Sequence, residues 1–404
     1  MKIAFVDNLP VGGGLSRFSL KLCESLINNY KDLKIDYFIH ENNLEQIPEI
    51  ITLNERVVVK LLQTTKKRNK AISLLNRVAN KVFRVAVIKN KTIKEIEQRV
   101  GKDYQLAYFP SAHMMEMPNL YIPIAGTIHD FNWRYFFGAE IFSNDFIIKM
   151  DKAIQQWLNK AACISSAQDV VNEAKKLYPT SKNYPAVIPI AQVVVSAKIE
   201  KSKAVEILQK LKINYPYIIF PGNFFPHKNH LNLFTAFYLL KQQPAFKSYK
   251  LILTGMGTDK IKKAVAEYRG IRKVLNDLDE FDVIGMGYQS NESIDALIMN
   301  AALLVSPSIY EAICTPAMDA WSYATPTAIS DIAPFREHEK AWGVKTAYFD
   351  PMNPHNIAET LAHCLMEIDK SKSNALISQK QLAMYTWDKI AISYMNVFIK
   401  AINK

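Results

Sequence analysis

The chain has 404 residues, enough for two domains that each bury a core. Hydrophobic residues make up 49% and charged ones 22%, with only 13 glycines, which excludes a disordered, collagen-like or low-complexity protein. The net charge is +12, the four cysteines lie too far apart for a disulfide framework or zinc cluster and fit a reducing cytoplasm, and no uncharged apolar run is long enough to span a bilayer.

The opening MKIAFVDN runs straight into a strand pattern at 2–7, without the apolar stretch of a signal peptide. Val11-Gly12-Gly13-Gly14 follows, then a helix with Leu15, Phe18, Leu22 and Leu26 on one face. A glycine-rich turn from strand to helix lets backbone N–H groups approach a phosphate, although a tight turn needs glycine whatever it binds. Arg17 stands where a dinucleotide fingerprint has its third glycine. Further strands are predicted at 35–39 and 57–62.

Residues 64–102 carry twelve Lys or Arg against Glu95 and Glu97, so +10 of the +12 is local. Ile72, Leu75, Val78, Val82 and Phe83 keep helical spacing between the basic residues. That is the pattern of a basic amphipathic helix on an anionic membrane surface, or of a solvated helical face. Each basic residue near an anionic leaflet contributes on the order of 1 kcal/mol. No aromatic interleaving or RNA-binding signature accompanies the charge, so nucleic acid is not the expected partner.

A strand at 105–109 ends at Pro110, and one at 121–128 ends at His129-Asp130. Asn132-Trp133-Arg134-Tyr135 offers aromatic faces for a sugar ring or for packing. Helices at 151–159 and 167–177 flank a strand at 162–165. Residues 179–213 read as a linker with Pro185, Pro189 and a short charged helix at 204–211, placing a boundary within 195–213. The expected division is 1–200, 201–385 and a terminal helix, 386–404. Trp387, Ile390, Ala391, Tyr394, Val397, Phe398 and Ala401 give that helix its apolar face.

The second domain opens with a strand at 215–220, the loop from Pro221 to His230 and a helix with Leu233, Phe237 and Leu240 on one face. Lys228 at the start of that helix adds a cation to an N-terminal anion seat. A strand at 251–254 runs into Gly255-Met256-Gly257, and Val283-Ile284-Gly285-Met286-Gly287-Tyr288 repeats that strand-and-turn form, neither a full dinucleotide fingerprint. The apolar run 301–305 predicts a buried strand that breaks at Ser306-Pro307-Ser308 and presents Glu311 beyond its C-terminal end. Thr315 then offers an N-cap hydroxyl, Pro316 fits the first helical position, and Asp319 follows about one turn on. An anion seat flanked by two acids suits a sugar carried on a nucleoside diphosphate; the same residues also fit a strand, loop and capped helix with no ligand.

Glu311, seven residues and the acid Asp319 resemble the E-x7-E signature of the retaining, GT-B-fold glycosyltransferases of family 4. Thr325-Pro326, Ser330-Asp331, Pro334 and Glu337 continue the likeness, as do the glycine loop, His129-Asp130, Ser165-Ser166 and Lys228-Asn229, all in family order. The chain departs from the pattern at Asp319 for Glu, at Ala312 and Cys314 for glycines, and at Asn223 for an Arg. The resemblance implies an α/β, GT-B architecture of two Rossmann-like domains facing a cleft. The acceptor would lie mainly on the first domain and the donor mainly on the second, with the C-terminal helix returning to the first.

It also implies transfer of a hexosyl or deoxyhexosyl group, with retention, from a nucleoside diphosphate sugar to a glycan hydroxyl. The setting would be cell-surface polysaccharide or lipopolysaccharide assembly in the cytoplasm, peripheral to the inner face of the membrane through 64–102, on a lipid-linked or free glycan. Lys228, Glu311 and His129 are the expected catalytic group. Gly13, Gly14, Asn223, Tyr288, Ile313, Cys314, Thr315 and Asp319 are the expected donor contacts, with no metal or other cofactor. A nucleotide-sugar 2-epimerase of the same fold and a non-catalytic peripheral membrane protein are the alternatives.

Overall fold

A computed structural model of the chain describes residues 1–7, 14–41, 44, 47–62, 90–135, 144–192, 199–261 and 282–404. It divides into two compact units, residues 1–193 with 386–404, and residues 194–385.

Among its described residues the first unit has seven parallel strands: β1 (Lys2–Asp7), β2 (Lys34–His40), β3 (Val57–Leu62), β4 (Leu106–Phe109), β5 (Ile124–Thr127), β6 (Ala162–Ser165) and β7 (Ala186–Val187). Their order is β3-β2-β1-β4-β5-β6-β7, and every pairing is parallel. Ile3, Ala4, Phe5 and Val6 are buried on both sheet faces, which is why β1 reads as a continuous apolar run. β5 starts later than 121 because Pro123 brings no N–H to a ladder and Tyr121 stands 89% exposed.

The helix Trp387–Ile402 belongs to this unit. It buries Trp387, Ile390, Ala391, Tyr394, Met395 and Phe398, whereas Val397 and Ala401 of the expected face are half-buried. Its Tyr394 hydroxyl lies 3.3 Å from that of Thr127, which is 2.7 Å from the Tyr108 hydroxyl, so three buried O–H groups satisfy one another. Trp387 donates its indole N–H to the Gln192 carbonyl at 2.6 Å.

Residues 64–89 of the basic stretch lie outside the described residues. The described remainder forms the helix Asn90–Arg99, which buries Ile93 and Ile96 and pairs Arg99 with Glu95. Among the described residues, no helix is long and apolar enough to cross a membrane.

Among its described residues the second unit holds six parallel strands: β8 (Tyr217–Pro221), β9 (Lys250–Thr254), β10 (Val283–Gly285), β11 (Leu303–Ser306), β12 (Thr327–Ser330) and β13 (Ala347–Phe349), in the order β10-β9-β8-β11-β12-β13. Alternate residues of β8 enter different cores, as pleating requires. Ile218 and Phe220 join Leu233, Phe237 and Leu361, while Tyr217 and Ile219 join Leu297, Ala317 and Trp321. Helices therefore cover both faces, the condition for an all-parallel sheet.

Candidate functional site

In the second sheet the chain winds outward from β8 in one direction and, after β10, returns to add β11 on β8's other side. The reversal leaves a crevice beyond the C-terminal ends of β8 and β11, where ligands of open α/β sheets bind. The loop after β8 carries Lys228 and the loop after β11 carries Glu311, 83 residues apart in sequence. Their side chains meet in an ion pair, Lys228 Nζ to Glu311 Oε1, with 17% and 18% of each exposed. Ser308 donates its hydroxyl to the same Oε1 at 3.0 Å.

Asn229 sets this encounter. It adopts the left-handed conformation (φ 58°, ψ 39°), which Asn tolerates better than most residues, and it caps the helix His230–Lys241. Its amide donates to the carbonyls of Pro307 at 3.0 Å and Pro351 at 2.7 Å, tying the β8 loop to the loops after β11 and β13. The Ile309 N–H donates to the His227 carbonyl at 2.8 Å and closes a second tie. Neither Asn229 nor Ser308 was singled out as a site residue from sequence; the αL-prone residue at a helix start was the readable signal for the first.

The helix after Glu311 begins one residue earlier than expected. Thr315 is its first residue and Pro316 its second, so Cys314 rather than Thr315 is the N-cap (φ −90°, ψ 77°). Pro316 loses no hydrogen bond there, since no N–H of the first turn has an intrahelical partner. Cys314 is buried, and burial pushes its thiol up to about 11, with the Ser306 side chain and the Ala317 N–H pulling the other way. Ile313, Cys314 and Thr315 thus form the approach to a helix N-terminus directly past Glu311. Asp319 lies in the second turn of that helix and is buried, 8% exposed.

Asn223 is tied into the loop's own framework. Its Oδ1 accepts the Met256 N–H at 2.8 Å, and Phe224 N–H donates to the Met256 carbonyl at 2.9 Å. Gly255 between them has φ +113°, and a Cβ there would meet the Gly222 carbonyl carbon at 2.8 Å, so only glycine lets the two loops touch. Tyr288 follows β10, the edge strand, and is 74% exposed.

Two histidines underlie the Lys228 loop. Burial and then Lys228 lower His227 to about 4. His230 is buried among Phe220, Phe224 and Phe234, ring centroids 5.1, 4.9 and 6.0 Å away, and burial lowers it to about 3. Both stay neutral at pH 7, leaving Lys228 as the cation of this loop's Pro226–Lys228 turn.

In the first unit the winding reverses between β1 and β4, and His129 follows β5 next door. Of the turn after β1, Gly13 lies outside the described residues and Gly14 opens the helix Gly14–Asn29. His129 Nε2 lies 2.9 Å from the Pro110 carbonyl, which can only accept, so Nε2 carries the proton and Nδ1 the lone pair. Burial lowers His129 to about 4. Its ring packs edge-on against Phe18 at 5.1 Å and against His113 at 5.2 Å. The loop beyond is anchored on Asp151, which accepts from Arg134 Nη1 at 2.5 Å, Tyr178 O–H at 2.8 Å and Trp133 Nε1 at 3.4 Å. Trp133 is thereby a buried packing residue, not an open stacking face.

Among the described residues, no group of three or more His, Cys, Asp or Glu is arranged to hold a metal ion.

Residues 204–381, which contain Lys228, Glu311 and Asp319, match the family described as "Glycosyl transferases group 1". No curated protein sequence matches the chain. Among solved structures, Anabaena Alr3699/HepE in complex with UDP and glucose is 16% identical and superposes with a TM-score of 0.68, over 99% of this chain and 100% of that one. Sucrose-phosphate synthase from Thermosynechococcus elongatus is 16% identical with a TM-score of 0.67, covering 99% and 98%. WaaG, a glycosyltransferase involved in lipopolysaccharide biosynthesis, is 12% identical with a TM-score of 0.65, covering 98% and 99%. These likenesses establish the α/β, GT-B fold.

Proposed function

We propose that the protein is a retaining glycosyltransferase moving a hexosyl or deoxyhexosyl group from a nucleoside diphosphate sugar to a glycan hydroxyl. One observation carries this reading: Lys228 and Glu311, from loops on either side of the strand-order reversal, meet beside a helix N-terminus. Cation and N–H groups suit a diphosphate, and the carboxylate suits sugar hydroxyls. The match of residues 204–381 to a glycosyltransferase family supports it, as does the UDP bound by a structural neighbour.

In the reaction, the bond from the anomeric carbon to the diphosphate oxygen breaks and a bond to the acceptor oxygen forms on the same face. The acceptor's proton passes to the departing phosphate oxygen, and the nucleoside diphosphate leaves. The protein positions the partners and stabilises developing charge instead of supplying a covalent nucleophile. Lys228 and the N–H groups of residues 313–315 bear the charge on the diphosphate, so no metal is invoked. Glu311 holds sugar hydroxyls, Asp319 the ribose and Tyr288 the base. His129, neutral at working pH, offers Nδ1 as an acceptor for a sugar hydroxyl.

The basic stretch 64–102 is proposed to bring the enzyme to an anionic membrane carrying a lipid-linked glycan. Cell-surface polysaccharide or lipopolysaccharide assembly on the cytoplasmic side is the corresponding setting. A thermal-shift panel of UDP, GDP, dTDP and their sugars tests the donor site: a midpoint rise with one nucleotide family is expected, because a ligand bound to the folded state stabilises it. No rise with any of them overturns the reading. Flotation with liposomes containing anionic lipid tests the membrane contact, and protein left wholly in the soluble fraction overturns that part.

A further inference from the structure

The Lys228–Glu311 pair does more than mark the site, because in it the two groups proposed to bind the donor's two halves bind each other. Glu311 is acceptor-only and takes both its described donors, the Lys228 ammonium and the Ser308 hydroxyl, on Oε1. Both charged side chains are more than four-fifths shielded from water. A diphosphate that recruits Lys228 therefore competes with Glu311 for the ammonium's charge and donors, where both side chains are largely shielded from water.

A nucleotide sugar can restore what it removes, since its hydroxyls donate to Glu311. A free nucleoside diphosphate brings no such hydroxyl to that position. Its terminal phosphate also ionises a second time near neutral pH, whereas the sugar ester does not, so it sets more negative charge beside Glu311.

We infer that Glu311 is a specificity-determining residue that makes the site favour the nucleotide sugar over the nucleoside diphosphate left after transfer, using Lys228 as the shared partner. This rests on the reading of Lys228 as the diphosphate cation. Glu311→Gln removes the competing charge while keeping shape and hydrogen-bonding capacity. The substitution frees Lys228 for the diphosphate and weakens the grip on the sugar. Ser308→Ala acts in the opposite sense, leaving Glu311 leaning harder on Lys228.

Calorimetric titration of wild type, E311Q and S308A with UDP, UDP-glucose, GDP and GDP-mannose tests the inference. Wild type should bind one nucleotide sugar more tightly than its nucleoside diphosphate. E311Q should bind that diphosphate on the order of tenfold more tightly than wild type does, about one charge-assisted hydrogen bond, and the sugar more weakly. E311Q binding the diphosphate no better than wild type overturns the inference while leaving the donor-site reading intact. If E311Q lacks a cooperative melting transition, S308A decides. Diphosphate affinity lowered about threefold supports the inference, and unchanged or higher affinity overturns it. Wild type that binds none of the four probes, and neither dTDP nor its sugars, overturns the donor-site reading and this inference with it.

Discussion

The two units wind their sheets alike, each reversing direction beside its first strand, yet they furnish the strand ends differently. Past β8 and β11 stand a lysine and a carboxylate in a shielded ion pair. Past β4 and β5 stand two buried imidazoles, His113 and His129, both held neutral by burial. Shared topology fixes where a ligand can sit, and the side chains on the exits decide what charge it can carry. On the proposed function, Lys228 equips the second unit for a polyanion, and the neutral His113 and His129 of the first suit hydroxyl groups, which need acceptors and shape rather than charge.

Lys228→Ala should break this contrast most severely, with turnover falling about 100- to 1000-fold, the range for removing a preorganised charge-stabilising donor. Radiolabelled sugar transfer measures it, and a loss under about tenfold would show that the cation is not where charge develops. Acid comes next. His129 and His227 titrate at about 4 and His230 at about 3, against about 6.5 in an unfolded chain. As pH falls below 6.5 the unfolded chain takes protons that the folded one refuses, so stability drops with falling pH down to about 4. Each such histidine contributes about 1.4 kcal/mol per pH unit over its window. Denaturant melts between pH 7 and 4.5 check the slope, and His230→Phe should flatten it; a pH-independent midpoint would mean these rings are not dry.

His129→Gln should cost roughly tenfold in turnover while leaving nucleoside diphosphate affinity within about twofold, since a neutral acceptor has little hold on a phosphate. Equal damage to both quantities would erase the difference between the halves. The smallest effect is expected from Tyr288→Ala. Donor affinity should fall about fivefold, the lower end of base-stacking losses, with the melting temperature unchanged because the ring is 74% exposed.

Much of this was readable in the sequence because parallel strands announce themselves as short apolar runs ending in glycine, proline or serine. The 301–305 run and β11 (Leu303–Ser306) coincide closely for that reason. The loops were harder. Glu311 and Lys228 could be nominated from charge and from motif order, but that they touch depends on Asn229 reaching two proline carbonyls, which spacing does not encode. The helix start was off by one residue because Pro, which loses no helical hydrogen bond anywhere in the first turn, is accommodated at its second position as well as its first, so Cys314 took the capping place expected of Thr315. Asn223, nominated for its place in a motif, spends its side-chain oxygen on the Met256 N–H. A backbone demand of that kind has no one-dimensional signature.

The Asn229 clasp has a practical corollary for engineering. It grips main-chain oxygens, and so does the Ile309 tie, so neither depends on which side chains the β11 loop carries. Positions on either side of Glu311 can therefore be varied in a selection for new sugar preference while the backbone register holds, provided Glu311 stays as the partner of Lys228, whereas the single change Asn229→Ala would unfasten that register in every variant of such a library.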